Sequence, residues 1–69
     1  MNEQEINKIE VYLKRQFSNP RIKVRARPKK DDSAEVYIGD EFIGVLFVDD
    51  EDGDRSYNFQ MAILETDLE

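Results

Sequence analysis

Carboxylate groups dominate the chemistry that the side chains of this sequence could perform. Sixteen of its 69 residues are Asp or Glu, and it contains neither His nor Cys. Without imidazole or thiol groups, no Ser-His-Asp or Cys-His arrangement can form, and the usual zinc and iron ligands are missing. The glycine motifs that bind phosphate groups are absent as well. We therefore predict that the protein is not an enzyme and holds no cofactor.

The most acidic stretch of the sequence is a candidate cation site. Asp50, Asp52 and Asp54 alternate there, and carboxylate oxygens can bind Ca²⁺ or Mg²⁺. An EF-hand aligned on the neighbouring glycine would place Val48 at its first position and Phe59 at its twelfth. Neither side chain can bind a cation, so an EF-hand is excluded. Weak divalent-cation binding of another kind stays an alternative to a solvated turn.

A second stretch carries alternating basic residues. They are Arg21, Lys23, Arg25 and Arg27, followed by Lys29 and Lys30. Cations on one face of a strand could follow a phosphate backbone, with Tyr37 and Phe42 as stacking groups. The acidic sequence pI of about 4.6 and the predicted position of Glu35 opposite Arg25 oppose this interpretation. Nucleic-acid binding through the first strand is thus a less favoured alternative.

Charge is distributed unevenly along the chain. Residues 1–30 hold nine Lys or Arg and three Glu, a net charge of +6. Residues 31–69 hold one Arg and thirteen Asp or Glu, a net charge of −12. Such a separation indicates either that one part of the fold neutralises another or that two surfaces face different partners.

An amphipathic helix over about residues 3–17 is predicted at the start of the chain. Asn2 and Glu5 have the spacing of a capping box, and the residue before Pro20 is unfavourable for helix. Apolar residues recur at helical spacing at Ile6, Ile9, Leu13 and Phe17. We expect this apolar stripe to cover one face of a sheet.

Four strands follow in the prediction. They span about residues 21–27, 33–38, 41–48 and 55–64. Gly39 and Asp40 form a two-residue hairpin turn, with positive φ at the glycine. The result is a single α+β domain over residues 1–69, in which one N-terminal amphipathic helix packs on a four-stranded antiparallel meander (α-β-β-β-β).

The expected strand register follows from the lengths of the connections. With residues 28–32 as the first loop, Val24 pairs with Val36, and the tight turn then places Val36 opposite Ile43. The predicted core comprises Ile6, Ile9, Leu13, Phe17, Ile22, Val24, Val36, Ile38, Ile43, Val45, Phe47, Tyr57, Phe59, Met61 and Ile63.

The same register leaves apolar side chains on the outer face, defined as the sheet face that the helix does not cover. An exposed apolar patch of a few hundred Å² is typical of a protein contact. We therefore predict a non-enzymatic protein-interaction domain that binds a protein partner or a second copy of itself. The predicted contact residues are Tyr37, Phe42, Leu46, Val48, Lys23 and Arg25.

The sequence also leads us to expect a cytoplasmic location. No run approaches the roughly 20 apolar residues of a membrane span, and the polar, acidic start does not have the pattern of a signal peptide. The lack of Cys suits a reducing compartment. We expect no membrane contact and infer no small-molecule substrate.

Two stretches, residues 33–47 (SAEVYIGDEFIGVLF) and residues 49–64 (DDEDGDRSYNFQMAIL), resemble the small bacterial family called domain of unknown function 3126. The resemblance covers nearly the whole chain, including the end of the helix at residues 17–20. It implies a stand-alone cytoplasmic bacterial protein. It assigns no activity, cofactor or catalytic residue to any position here.

Overall fold

The computed structural model describes the backbone of residues 1–69 and every side chain except that of Asp52. The helix α1 spans Glu3–Gln16, and the strands are β1 (Ile22–Arg27), β2 (Lys30–Ile38), β3 (Glu41–Asp49) and β4 (Ser56–Gln60). The strands form one antiparallel sheet in the order β1-β2-β3-β4. The α-β-β-β-β architecture predicted from the sequence is confirmed.

The start of α1 has the predicted capping box. The Asn2 side-chain oxygen accepts a hydrogen bond from the Glu5 backbone N–H at 2.8 Å, and the Glu5 carboxylate accepts one from the Asn2 N–H at 3.4 Å. These bonds satisfy two backbone donors that a helix start leaves unpaired. The helix ends at Gln16, and Phe17 is its C-cap residue.

Strands β1 and β2 pair almost as predicted. Val24 lies opposite Val36, as expected from the alternation of apolar residues. The expected loop over residues 28–32 is wrong, however, because β2 already begins at Lys30. Arg27 pairs with Lys30, and an irregularity in the register between Ala26 and Arg27 accommodates residues 31–33 of β2.

The turn between β2 and β3 is the predicted two-residue connection. Ile38 pairs with Glu41 across it, and Gly39 has a φ of 61°. This left-handed conformation is readily available to glycine because it lacks a Cβ.

After the first two residue pairs beyond this turn, the register of β2 and β3 departs from the prediction. Tyr37 pairs with Phe42 as expected, but Val36 pairs with Gly44 instead of Ile43. A β-bulge between these pairs places one extra residue in β3. A shift by one residue moves every later side chain of that strand to the opposite face.

The bulge therefore reverses the second half of β3. Leu46, expected on the outer face, is only 3 % exposed and lies in the core. Val48 pairs with Tyr57, and it alternates in phase with Leu46 toward α1. The prediction that Leu46 and Val48 belong to the outer face is wrong. Val45 and Phe47 occupy that face instead.

Strand β4 is shorter than predicted. It ends at Gln60, and residues 61–64 leave the sheet. Met61 and Ile63, which were expected in the core, are 53 % and 65 % exposed. They lack a β3 partner because the last pair in this ladder joins Val45 to Gln60.

The core lies between α1, the first two strands and the middle of β3. Its buried apolar members are Ile6, Leu13, Ile22, Val24, Ala34, Val36 and Leu46. Partly buried residues, among them Ile9, Ile38, Ile43 and Phe59, pack against its margin. Phe17, Phe47 and Tyr57 were expected in the core but are at least 37 % exposed. The helix packs chiefly on β1 and leaves much of β3 and β4 uncovered.

Candidate functional site

Four side chains form an ordered cluster on the outer face. The Tyr37 hydroxyl donates a hydrogen bond to the Glu35 carboxylate at 2.9 Å. The rings of Tyr37 and Phe42 meet edge to face with centroids 5.6 Å apart, and the Arg25 guanidinium lies 5.2 Å from the Tyr37 ring centroid. Both arrangements are favourable for aromatic groups. The hydrogen bond to Glu35 raises the pKa of Tyr37.

The apolar part of the outer face continues along β3. Phe42 is 51 % exposed and Phe47 is 37 % exposed. The C-terminal segment, residues 61–69, borders a hollow that both of these rings also line. The C-terminal segment nevertheless leaves the two rings substantially exposed. The outer face thus presents the aromatic surface of β3 to solvent, with β2 between it and the basic strand β1.

The structure brings together four of the six predicted contact residues. Tyr37, Phe42, Lys23 and Arg25 share the outer face, with Lys23 directly opposite Tyr37. Leu46 and Val48 are separated from them by the sheet itself.

Sequence reasoning missed Phe47 as an outer-face residue because it missed the bulge. A glycine inside a strand often marks a bulge or a close backbone approach, and Gly44 was that signal. A Cβ at this position would meet the carbonyl oxygen of Gln60 and lie 2.6 Å from Phe59 Cε1. The two strands approach closely here because residue 44 lacks a side chain.

A second apolar surface lies on the other side of the sheet. We call it the helix groove, a cleft of about 480 Å³ between α1 and the strands β3 and β4. Its apolar lining includes Ile9, Tyr12, Leu13, Phe17, Leu46, Tyr57 and Phe59. Tyr12 and Phe17 are more than half exposed. The groove exists because the helix packs chiefly on the opposite half of the sheet.

Polar contacts join α1 to β4 at one end of the helix groove. The Tyr57 hydroxyl donates a hydrogen bond to the Glu5 carboxylate, and Arg55 Nε lies 2.6 Å from the same carboxylate oxygen. The hydrogen bond from Tyr57, reinforced by the charge of Arg55, lowers the pKa of Glu5 despite the opposing effect of burial. The same hydrogen bond to Glu5 raises the pKa of Tyr57.

The acidic stretch after β3 has contacts within its own chain. Arg55 Nε lies 3.8 Å from the Asp50 carboxylate, and Asp49 accepts a hydrogen bond from the Glu51 backbone N–H at 2.9 Å. The side chain of Asp52 lies outside the described residues. Among the Asp and Glu residues that the structure describes, no group of three is arranged so that it could hold a metal ion.

Two cations of the basic strand β1 also contact their own chain. Arg25 packs on Tyr37, as described above, and Arg27 Nη1 donates a hydrogen bond to the Ser33 hydroxyl at 3.2 Å. A nucleic acid would have to share or displace these contacts.

Within the described part of the chain, the structure contains no helix with the length and apolar character of a membrane span.

These elements define a one-helix α+β protein with an open four-stranded antiparallel sheet and apolar surface on both of its sides. The chain belongs to the family described as protein of unknown function DUF3126, whose family model matches residues 5–67. The resemblance found in the sequence is therefore confirmed. Comparison with curated proteins and with solved structures gave no match.

Proposed function

We propose that this protein is a non-enzymatic protein-interaction domain that binds a partner protein through its outer face. The observation that carries the proposal is the aromatic pair of half-buried Tyr37 and exposed Phe42, held in place by Arg25 and Glu35. Exposed rings that are already ordered lose little conformational entropy on binding. Aromatic and Arg side chains are also the residues that most often dominate protein contacts.

The charges around the rings indicate the chemistry of the partner. Lys23 and Arg25 lie on one side of the aromatic pair, while Phe47 extends the apolar surface on the other side. The Glu35 carboxylate is already hydrogen-bonded to Tyr37. A complementary surface would combine apolar side chains with carboxylates, since complementary charges favour encounter and fix orientation.

Affinity capture from the native cells tests the proposal. We compare the wild type with Phe42→Glu, which places a charge in the centre of the outer face, and with the control Val11→Glu. Val11 is 59 % exposed on α1, which lies on the opposite side of the sheet, and it does not line the helix groove. Quantitative mass spectrometry should show proteins retained by the wild type and Val11→Glu but lost with Phe42→Glu. Identical recovery with all three chains would refute the proposal.

The contacts of β1 favour a protein partner over a nucleic acid, because Arg25 and Arg27 already have partners within the chain. Titration with single-stranded and double-stranded nucleic acids at low salt should therefore show no binding. Tight binding that weakens with salt and with Arg25→Ala would favour the nucleic-acid alternative. The cytoplasmic location expected from the sequence remains part of the proposal, and cell fractionation tests it.

A further inference from the structure

Two basic side chains of α1, Lys8 and Arg15, flank the helix groove, and of these Lys8 lines it. Lys8, Tyr12 and Arg15 follow one another at helical spacing, so that they lie along the same side of α1. Lys8 lines the groove together with Tyr12, and all three side chains are exposed. Neither of the two cations is in a salt bridge with another described residue.

The C-terminal segment has the complementary chemistry. Its large apolar side chains are 53–76 % exposed. They belong to Met61, Ile63, Leu64 and Leu68. Its charged residues are Glu65, Asp67 and Glu69, and residues 61–69 contain no Lys or Arg. The segment therefore offers apolar groups followed by carboxylates, which match the apolar lining and the flanking cations of the helix groove.

The C-terminal segment does not fill the helix groove of its own chain. The segment follows β4 and borders the hollow beside β3 that Phe42 and Phe47 also line. None of residues 61–69 lines the helix groove. The molecule is elongated, with principal extents of 42 × 24 × 23 Å.

We propose that the helix groove binds the C-terminal segment of a second copy of this chain, so that two copies associate reciprocally. Each copy supplies one groove and one segment, which gives the self-complementary contact of a two-fold symmetric dimer. The proposal goes beyond the proposed function, since it uses the opposite side of the sheet and leaves Phe42 to the partner. Association would also bury apolar surface that a chain of this length cannot cover alone.

Sedimentation equilibrium over a wide concentration range tests the proposal with the full chain. The wild type should dimerise. Tyr12→Asp places a carboxylate in the groove, and Ile63→Asp places one in the segment; each should be a monomer. Loss of one buried apolar side chain weakens association by on the order of tenfold, and a reciprocal dimer loses two such contacts. Raising the salt concentration should weaken the wild-type dimer, because the carboxylates of the segment face cations.

Mixing the two variants gives the decisive result. Tyr12→Asp keeps an intact segment and Ile63→Asp keeps an intact groove, so the mixture should form a heterodimer with one of the two contacts restored. Val11→Asp is the control and should dimerise like the wild type. Circular dichroism establishes that each variant is folded, and Tyr12→Ser and Ile63→Ser replace any aspartate variant that is not.

Three outcomes would overturn the proposal. A wild type that remains monomeric at millimolar concentration shows that the groove does not hold a second copy. Dimers that survive both substitutions would place the contact elsewhere. Failure of the mixture to associate would mean that groove and segment do not bind each other. None of these outcomes bears on the capture of partners through Phe42, so the two proposals fail separately.

Discussion

The Tyr57 hydroxyl donates a hydrogen bond to the Glu5 carboxylate, although the two residues are 52 positions apart in the sequence. The contact joins the first turn of α1 to β4 at one end of the helix groove. Arg55 binds the same carboxylate. These polar contacts connect the start of α1 to the β4 side of the sheet, whereas the helix packs chiefly on β1.

Stability should therefore depend on pH through this pair. The pKa of Glu5 is lowered from its ordinary value near 4.5, so its contribution to the free energy of unfolding is present above that pH. It is lost as the pH falls through the folded-state pKa. The pKa of Tyr57 is raised from about 10, so its contribution is present below that pH and is lost as the pH rises through the folded-state value.

Denaturant unfolding of the wild type and Tyr57→Phe at a series of pH values measures this effect. The wild type should be more stable at neutral pH, and the difference should shrink in both acid and alkali. Tyr12→Phe, which removes another tyrosine hydroxyl, serves as the control and should show no such pH-dependent difference. A difference between wild type and Tyr57→Phe that is constant across pH would show that the hydrogen bond does not contribute.

Truncations of neighbouring residues test the bulge in β3. Leu46 is 3 % exposed and Phe47 is 37 % exposed. Leu46→Ala should lower the free energy of unfolding by about 2–4 kcal/mol because it leaves a cavity in the core. Phe47→Ala should cost about 1 kcal/mol, since much of the ring already contacts solvent. Urea unfolding of both variants gives the comparison, and the reverse order would support the register without a bulge.

Gly44 should not tolerate a side chain. A methyl group there would meet the Gln60 carbonyl and the Phe59 ring, so that β3 and β4 would have to move apart. We expect Gly44→Ala to destabilise the protein by about 1–3 kcal/mol, the usual range for overpacking. Gly53→Asn is the matched control, because no described residue other than its chain neighbours lies within 4 Å of a Cβ at Gly53, and its φ of 77° is one that Asn tolerates. Equal thermal stability of the two variants would contradict the close approach.

Ser18 offers a stabilising substitution. It follows the C-cap of α1 with a φ of 51°, and the Asn19 N–H donates a hydrogen bond to the Lys14 carbonyl at 2.9 Å. This arrangement is a Schellman motif, in which Gly is the preferred residue at the left-handed position. Ser18→Gly should raise the free energy of unfolding by about 0.5–1 kcal/mol. Ser18→Ala retains the Cβ and should give no gain in a thermal melt, whereas equal gains would argue against this explanation.

Local patterns were sufficient to predict the elements and the first strand pairing. Strict alternation in β1 and a two-residue turn at Gly39 each constrain the fold within a few residues, and the pairs Val24–Val36 and Tyr37–Phe42 occur as expected. Strand β3 is apolar on both faces, so its alternation could not show whether Val45 or Leu46 faces the helix. The bulge between β2 and β3 decides this question.

The candidate surfaces were predictable to the same extent. Tyr37 and Arg25 were placed correctly because they precede the bulge, while Leu46 was assigned to the wrong face. The helix groove was not predicted at all. Its existence depends on the position of α1 over the sheet, and the apolar stripe that includes Ile9 and Leu13 does not specify which strands it covers.

Photo-crosslinking in the native cells tests most directly whether the outer face is the partner-binding surface. A benzophenone amino acid replaces Phe42 in one chain and Val11 in another, since both positions are exposed but lie on opposite sides of the sheet. We expect a discrete crosslinked protein from position 42 that is absent from position 11. No crosslink from position 42, or the same product from both positions, would contradict it.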